Sequence, residues 1–245
     1  MTQEMIASKT VAPLANVGMC LRALERGMNR PPHLPGMVCF YGPSGWGKST
    51  AAAYVANKHR AAYIECKSTW TRKAVLLALA KELGLPAPAR TIYELTDQIC
   101  EQLALTGRPV IIDEMDHLVD KSAVEVVRDI YEGSGAAILL IGEERLPKKL
   151  ERWERFHGRI LDFYGAQPAG MDDARHLARL YCPALTIDDD LLAAIHKASR
   201  GSVRRICVNL ERVNEFAQGQ GMAEIGKDDW GDRPLFTGQA PARRV

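Results

Sequence analysis

The run Gly42-Pro43-Ser44-Gly45-Trp46-Gly47-Lys48-Ser49-Thr50 holds the densest chemistry in the chain. Its glycines let the backbone turn so that successive N–H groups converge and cradle an anion. The lysine and hydroxyl that follow supply what a polyphosphate needs, a positive charge for the terminal phosphates and a ligand for their cation. The spacing G-x-x-x-x-G-K-S also sits where such a loop must sit, after the apolar run MVCFY and before the helical run STAAAYVA. There the dipole of the next helix adds to the anion site. Residues 42–50 are therefore read as an ATP-binding loop, with Lys48 on the β/γ phosphates and Ser49 as a ligand of Mg2+.

A phosphate loop requires an acid at the end of another buried strand, and Arg-Pro-Val-Ile-Ile-Asp113-Glu114 supplies two. Asp113 is expected to hold Mg2+ through water. Glu114, one residue on, is expected to polarise the attacking water as a general base. Asp116 and His117 read as polar loop residues.

Apolar runs alternate with helical patterns from MVCFY to RILDF, which predicts βα repeats and a buried parallel sheet of five strands. Leu14, Val17, Leu21, Leu24 and Met28 step at helical spacing before Pro31, Pro32 and Pro35 stop the pattern. Beyond Gly165 the strand signals cease, and three helical patterns follow. The predicted fold is thus α/β, with residues 1–36 an N-terminal helix and linker, 37–165 the nucleotide-binding core, 166–225 a small all-helical lid and 226–245 an irregular tail. With 245 residues, 47% of them hydrophobic, the chain can bury a sizeable core. A formal charge of +2 excludes a uniformly basic coat but says nothing about local patches. The six cysteines form no C-x-x-C pair, and neither a secretory signal nor a membrane-length apolar run is present, so a cytoplasmic protein with buried reduced thiols is expected.

The phosphate loop, the Asp113-Glu114 pair and the helical C-terminal region, in that order, resemble the AAA+ ATPases over roughly residues 10–220. The strings CFYGPSGWGKSTAAAYVAN, RPVIIDEMDHL, VVRDIYEGSGAAILLIGEERL and GSVRRICVNLERV are similar to the branch that serves DNA transposition, the phage Mu-type proteins. The phage Mu-type protein has an extra N-terminal helix-turn-helix domain, which is not expected here, since about 36 residues with one helical pattern precede the first strand. The resemblance implies further roles. Arg204 matches the lid arginine that reads the nucleotide. Glu143 falls where the family has a polar sensor beside the γ-phosphate, and a carboxylate there departs from the pattern; a helix-start acid is an equal reading. An arginine of RWERFHGRI, Arg159 first and Arg155 second, would reach a neighbouring subunit's phosphates, as arginine fingers do. A ring or helical filament is then expected.

Positive charge concentrates at Lys67, Arg72 and Lys73 around Ser68-Thr69-Trp70-Thr71, at Lys148 and Lys149, and between Lys197 and Arg212. Hydroxyls and cations at a helix start are good phosphate ligands, so Lys67, Thr69, Arg72 and Lys73 are candidate DNA contacts. A solvated face is the competing reading for each cluster. The function implied is an ATP-dependent, sequence-non-specific binder of double-stranded DNA that assembles on it, selects transposition targets and activates a transposase. A secretion-type or replication-loader-type ATPase acting on a protein is the alternative. No membrane role is expected.

Overall fold

The structure, a computed structural model, describes residues 11–240. Two compact units divide it. The larger comprises Val17–Pro43 and Lys48–Ala166; the smaller gathers, among the described residues, 11–16, Ser44–Gly47 and 167–240.

The larger unit is built on five parallel strands: β1 (Met37–Tyr41), β2 (Ala62–Glu65), β3 (Val110–Asp113), β4 (Ile138–Gly142) and β5 (Ile160–Gly165). They lie in the order β2-β3-β4-β1-β5, every neighbouring pair parallel. The central strands VIID and ILLIG are buried at every position, as a sheet covered on both faces requires. The outer strands expose Glu65 and Asp162. Because all strands run the same way, their carboxyl ends share one edge of the sheet. Gly42, Asp113 and Gly142 end or follow three of those strands, which brings segments distant in sequence to a single place.

Helices α1 (Ala15–Met28), α2 (Lys48–His59), α3 (Arg72–Glu82), α4 (Ile92–Thr106), α5 (Asp116–Asp120), α6 (Glu125–Ser134), α7 (Leu146–Leu150) and α8 (Glu154–His157) accompany these strands. Thr71 caps α3 by accepting from the Ala74 N–H. Thr91 caps α4, and its hydroxyl also bonds the Glu94 carboxylate. Leu76, Leu79, Leu95, Ile99 and Ile130 pack with Met37, Ile64, Ile112 and Leu140 in one buried cluster. The three shortest helices of this unit, α5, α7 and α8, have too few turns for a periodic signal.

The smaller unit contains α9 (Met171–Tyr181), α10 (Asp189–Ser199) and α11 (Val203–Gly219), where three helical patterns follow Gly165 in the sequence. They are supplemented by a two-residue parallel pairing of β6 (Thr186–Ile187) with β7 (Glu224–Ile225). The stretch 226–245, expected to be irregular, differs over its described part. It forms α12 (Lys227–Trp230), buries Trp230 and returns along α11. Buried Asn209 donates to the Phe236 carbonyl at 3.0 Å and accepts its N–H at 2.6 Å, while the Arg233 guanidinium lies 4.0 Å over the Phe216 ring. One side-chain amide holding an irregular backbone leaves no periodicity for a sequence to display. No helix among the described residues is long and apolar enough to cross a membrane.

Candidate nucleotide site

Gly42 leaves β1 so close to the end of β5 that a Cβ at this position would lie 2.8 Å from the Ala166 Cβ; no other residue fits without moving one of the two backbones. Lys48, at the first position of α2, folds back so that Nζ donates to the Gly42 carbonyl at 2.7 Å and to the Pro43 carbonyl at 3.0 Å. Burial draws its pKa below the ordinary lysine value, against the opposing pull of Glu114, Asp113, Asp116 and Glu143. This ammonium is thus partly desolvated and faces a group of carboxylates. Ser49 and Thr50 follow on the exposed first turn of α2.

Asp113 is 1% exposed, and both of its oxygens have donors. Oδ1 accepts the Glu114 N–H at 2.8 Å, and Oδ2 accepts the Tyr63 hydroxyl at 3.1 Å. Tyr63 escaped the sequence reading because it stands in a strand run where an aromatic reads as packing. Glu114 takes a left-handed backbone, φ +54°, unusual for a residue with a side chain. Burial first, and the Asp113 charge second, push the Glu114 carboxyl above the usual carboxylate range; His117 and Lys48 pull the other way. A raised pKa makes Glu114 a stronger proton acceptor than an ordinary carboxylate once it is ionised.

Glu143 directly follows β4, and its carboxylate is exposed. The buried acid beside it is Asp116. Its Oδ2 accepts the Glu143 N–H at 2.7 Å, and its Oδ1 pairs with Lys149 Nζ at 2.9 Å. A Cβ at Gly142 would collide with that carboxylate, so the glycine makes room for it. Asp116, read as a loop residue, instead opens α5 and fixes the backbone from which Glu143 projects. Its only sequence signal was an acid at a helix start.

The tip of the phosphate loop, Ser44–Gly47, belongs to the smaller unit. Gly45 and Gly47 have φ of +80° and +82°, the left-handed region that side chains rarely adopt. The Gly45 carbonyl accepts the Arg204 N–H at 3.1 Å and faces the Ser202 hydroxyl at 3.4 Å. Ser202 also caps α11. The backbone of Arg204 therefore touches the loop, while its side chain is exposed.

Residues 33–150 match the family described as AAA domain. The chain matches over just under half of its length. Its fold is that of the AAA+ P-loop proteins among solved structures. Cdc6p from Pyrobaculum aerophilum aligns with a TM-score of 0.64 and 16% identity over 91% of this chain and 68% of its own. Orc1 of Aeropyrum pernix, solved in complex with DNA, gives 0.64 and 16% over 91% and 65%. Domain III of the Thermotoga maritima replication initiation protein DnaA gives 0.56 and 18% over 90% of both. At these identities the likeness concerns the fold. No curated protein matches the chain.

Outside the AAA domain match, Arg159 immediately precedes β5 and so lies at the amino edge of the sheet, away from Asp113 and Lys48. Its Nε and Nη2 reach the same Glu132 oxygen at 2.9 and 2.7 Å. Arg155 is exposed on α8. Neither arginine meets the acids of its own chain's site. The candidate DNA contacts Lys67, Thr69, Arg72 and Lys73 are all exposed at the start of α3. Arg72 donates to the Ser122 carbonyl at 3.1 Å and Lys73 to the Arg90 carbonyl at 2.7 Å. Lys121, unforeseen in sequence, joins them by donating to the Trp70 carbonyl at 3.4 Å.

Proposed function

We propose that the protein is an ATPase that binds double-stranded DNA without sequence preference, assembles on it with further copies of itself, selects transposition targets and activates a transposase. The observation that carries the ATPase reading is the set Lys48, Asp113 and Glu114. One desolvated ammonium lies in the field of a doubly hydrogen-bonded carboxylate and of a neighbour whose pKa is raised. Lys48 would balance the charge of the β/γ phosphates, the N–H groups of residues 42–50 would hold their oxygens, and Glu114 would take the proton of the attacking water. The donor set suits Mg2+: one hydroxyl, Ser49, and one carboxylate, Asp113, leave room for the waters and phosphate oxygens that this ion retains. When bound, Mg2+ supplies charge neutralisation on the phosphates. Arg204 would read the nucleotide from α11, and Arg159, or Arg155, would serve the site of a neighbouring copy.

The DNA reading is supported by four exposed cations, Lys67, Arg72, Lys73 and Lys121, of which the last three donate to backbone carbonyls and not to carboxylates. Such cations keep their charge available for phosphates. The transposition role rests on the sequence strings that resemble that branch. The likeness in fold to Orc1, solved in complex with DNA, and to a replication initiation protein favours a second reading, a replication-type ATPase on DNA. Electron microscopy with ATP, with and without duplex DNA, tests the first. DNA-dependent filaments are expected; no assembly under any condition would rule it out. Added transposase separates the two readings, since only the first expects strand transfer to rise with ATP.

A further inference from the structure

The N-terminal helix enters the sequence reading only as an amphipathic element, yet its second residue is a buried polar group. Asn16 is 3% exposed. Its Nδ2 donates to the Trp46 carbonyl at 2.9 Å and to the Gln167 carbonyl at 2.8 Å, and its Oδ1 accepts the Gln167 N–H at 2.9 Å. Two carbonyls and one N–H fix which end of the amide is which, and only an amide offers two donors and an acceptor at this reach.

One of those bonds falls on the phosphate loop, and peptide geometry gives it a consequence. Every described peptide is trans. In a planar trans peptide the C=O and the N–H point in opposite directions. Holding the Trp46 carbonyl toward Asn16 therefore turns the Gly47 N–H the other way. Among the described residues no acceptor meets that N–H. The neighbouring peptide is held in the same manner, because the Gly45 carbonyl is bound by the Arg204 N–H. The left-handed φ values of Gly45 and Gly47 are what this arrangement of consecutive peptides demands.

We propose that Asn16 is a positioning residue for the phosphate loop: it anchors the Trp46 carbonyl outside the turn and so aims the Gly47 N–H at the phosphates of the nucleotide. The inference rests on the nucleotide reading of residues 42–50. It assigns Asn16 no contact with the ligand, and its effect should follow the phosphates and not the base.

Calorimetric titration of the full chain with ATP, tripolyphosphate and adenosine separates these. In Asn16→Ala the affinities for ATP and tripolyphosphate should fall about tenfold, the worth of one well-placed hydrogen bond, with adenosine unchanged. Equal losses for all three ligands, or none, would overturn the proposal. A wild-type chain that binds neither ATP nor tripolyphosphate would overturn the nucleotide reading and this inference with it. A wild type that binds both, beside an Asn16→Ala chain that binds them equally well, removes the inference alone. Should that variant not fold, the wild-type amide spectrum decides. The Gly47 N–H resonance is expected among those most displaced by tripolyphosphate, and an unmoved resonance counts against Asn16.

Discussion

Lys48 and the cations at the start of α3 bond the same kind of partner in opposite surroundings. Both donate to backbone carbonyls: Lys48 to Gly42 and Pro43, Arg72 to Ser122, Lys73 to Arg90. Lys48 is partly desolvated among acids, and burial lowers its pKa. Arg72 and Lys73 are exposed. A buried charge acts at close range, is little screened by salt and has few conformations to lose, which suits chemistry on one bound phosphate group. Exposed charges act weakly and additively, are screened by salt, and suit a grip on a long polyanion. The first region should therefore respond steeply to single substitutions and little to ionic strength, and the second the reverse.

The large effects should come from the nucleotide region, Lys48→Ala among them. Removing the one ammonium set into the loop is expected to lower ATP turnover by on the order of 10²–10³, the usual loss for a preorganised electrostatic group. ATP-stimulated DNA binding should disappear with it. Turnover within a factor of two of wild type would erase the distinction between the regions. Arg159→Ala should cost about as much or more if it is a finger. Mixing it with Lys48→Ala should restore part of the activity, because mixed assemblies pair an intact loop with an intact arginine. No recovery on mixing would leave Arg159 as the surface partner of Glu132.

Glu114→Gln comes next, with a loss of about 10²–10⁴ in turnover and retained ATP binding, since a general base contributes on that scale. Its raised pKa makes a pH statement. Glu114 must be deprotonated to act, so turnover should fall as pH drops through a value above the ordinary carboxylate pKa of about 4.3. The same shift means that ionising Glu114 opposes folding, so its contribution favours the folded chain at pH below the raised value. An acid limb that persists unchanged in Glu114→Gln would assign it to another group.

The same contrast explains what could be read from the sequence. The five strands were legible because burial on both faces forces continuous apolar runs such as VIID and ILLIG. The phosphate loop was legible because several residue types at fixed spacing have one chemical use. Asp113 and Glu114 followed from the end of a strand. Asn16, Tyr63 and Asp116 were not legible, since each acts through hydrogen bonds to groups distant in the chain: Asn16 to Trp46 and Gln167, Tyr63 to Asp113, Asp116 to the Glu143 backbone and Lys149. A polar residue whose partners are all distant in the chain has no pattern of its own. The order in the tail was missed for the same reason, because it depends on Asn209 meeting Phe236.

The smallest effect should belong to Lys73→Ala, and it is the sharper test of the second region. Removing one phosphate contact should weaken DNA binding by only a few-fold at moderate salt, and uniformly across sequences. The more telling quantity is the dependence of log affinity on log salt, whose slope should shrink by about 0.9 for one lost contact. Arg72→Ala should do the same, and the double variant should add the two changes, since independent exposed contacts couple little. Loss of ATP turnover in the absence of DNA would contradict the separation, because neither side chain bonds any residue of the phosphate loop. An unchanged slope in the double variant would return these cations to the role of a solvated face and move the search for the DNA contact to the arginines of α11.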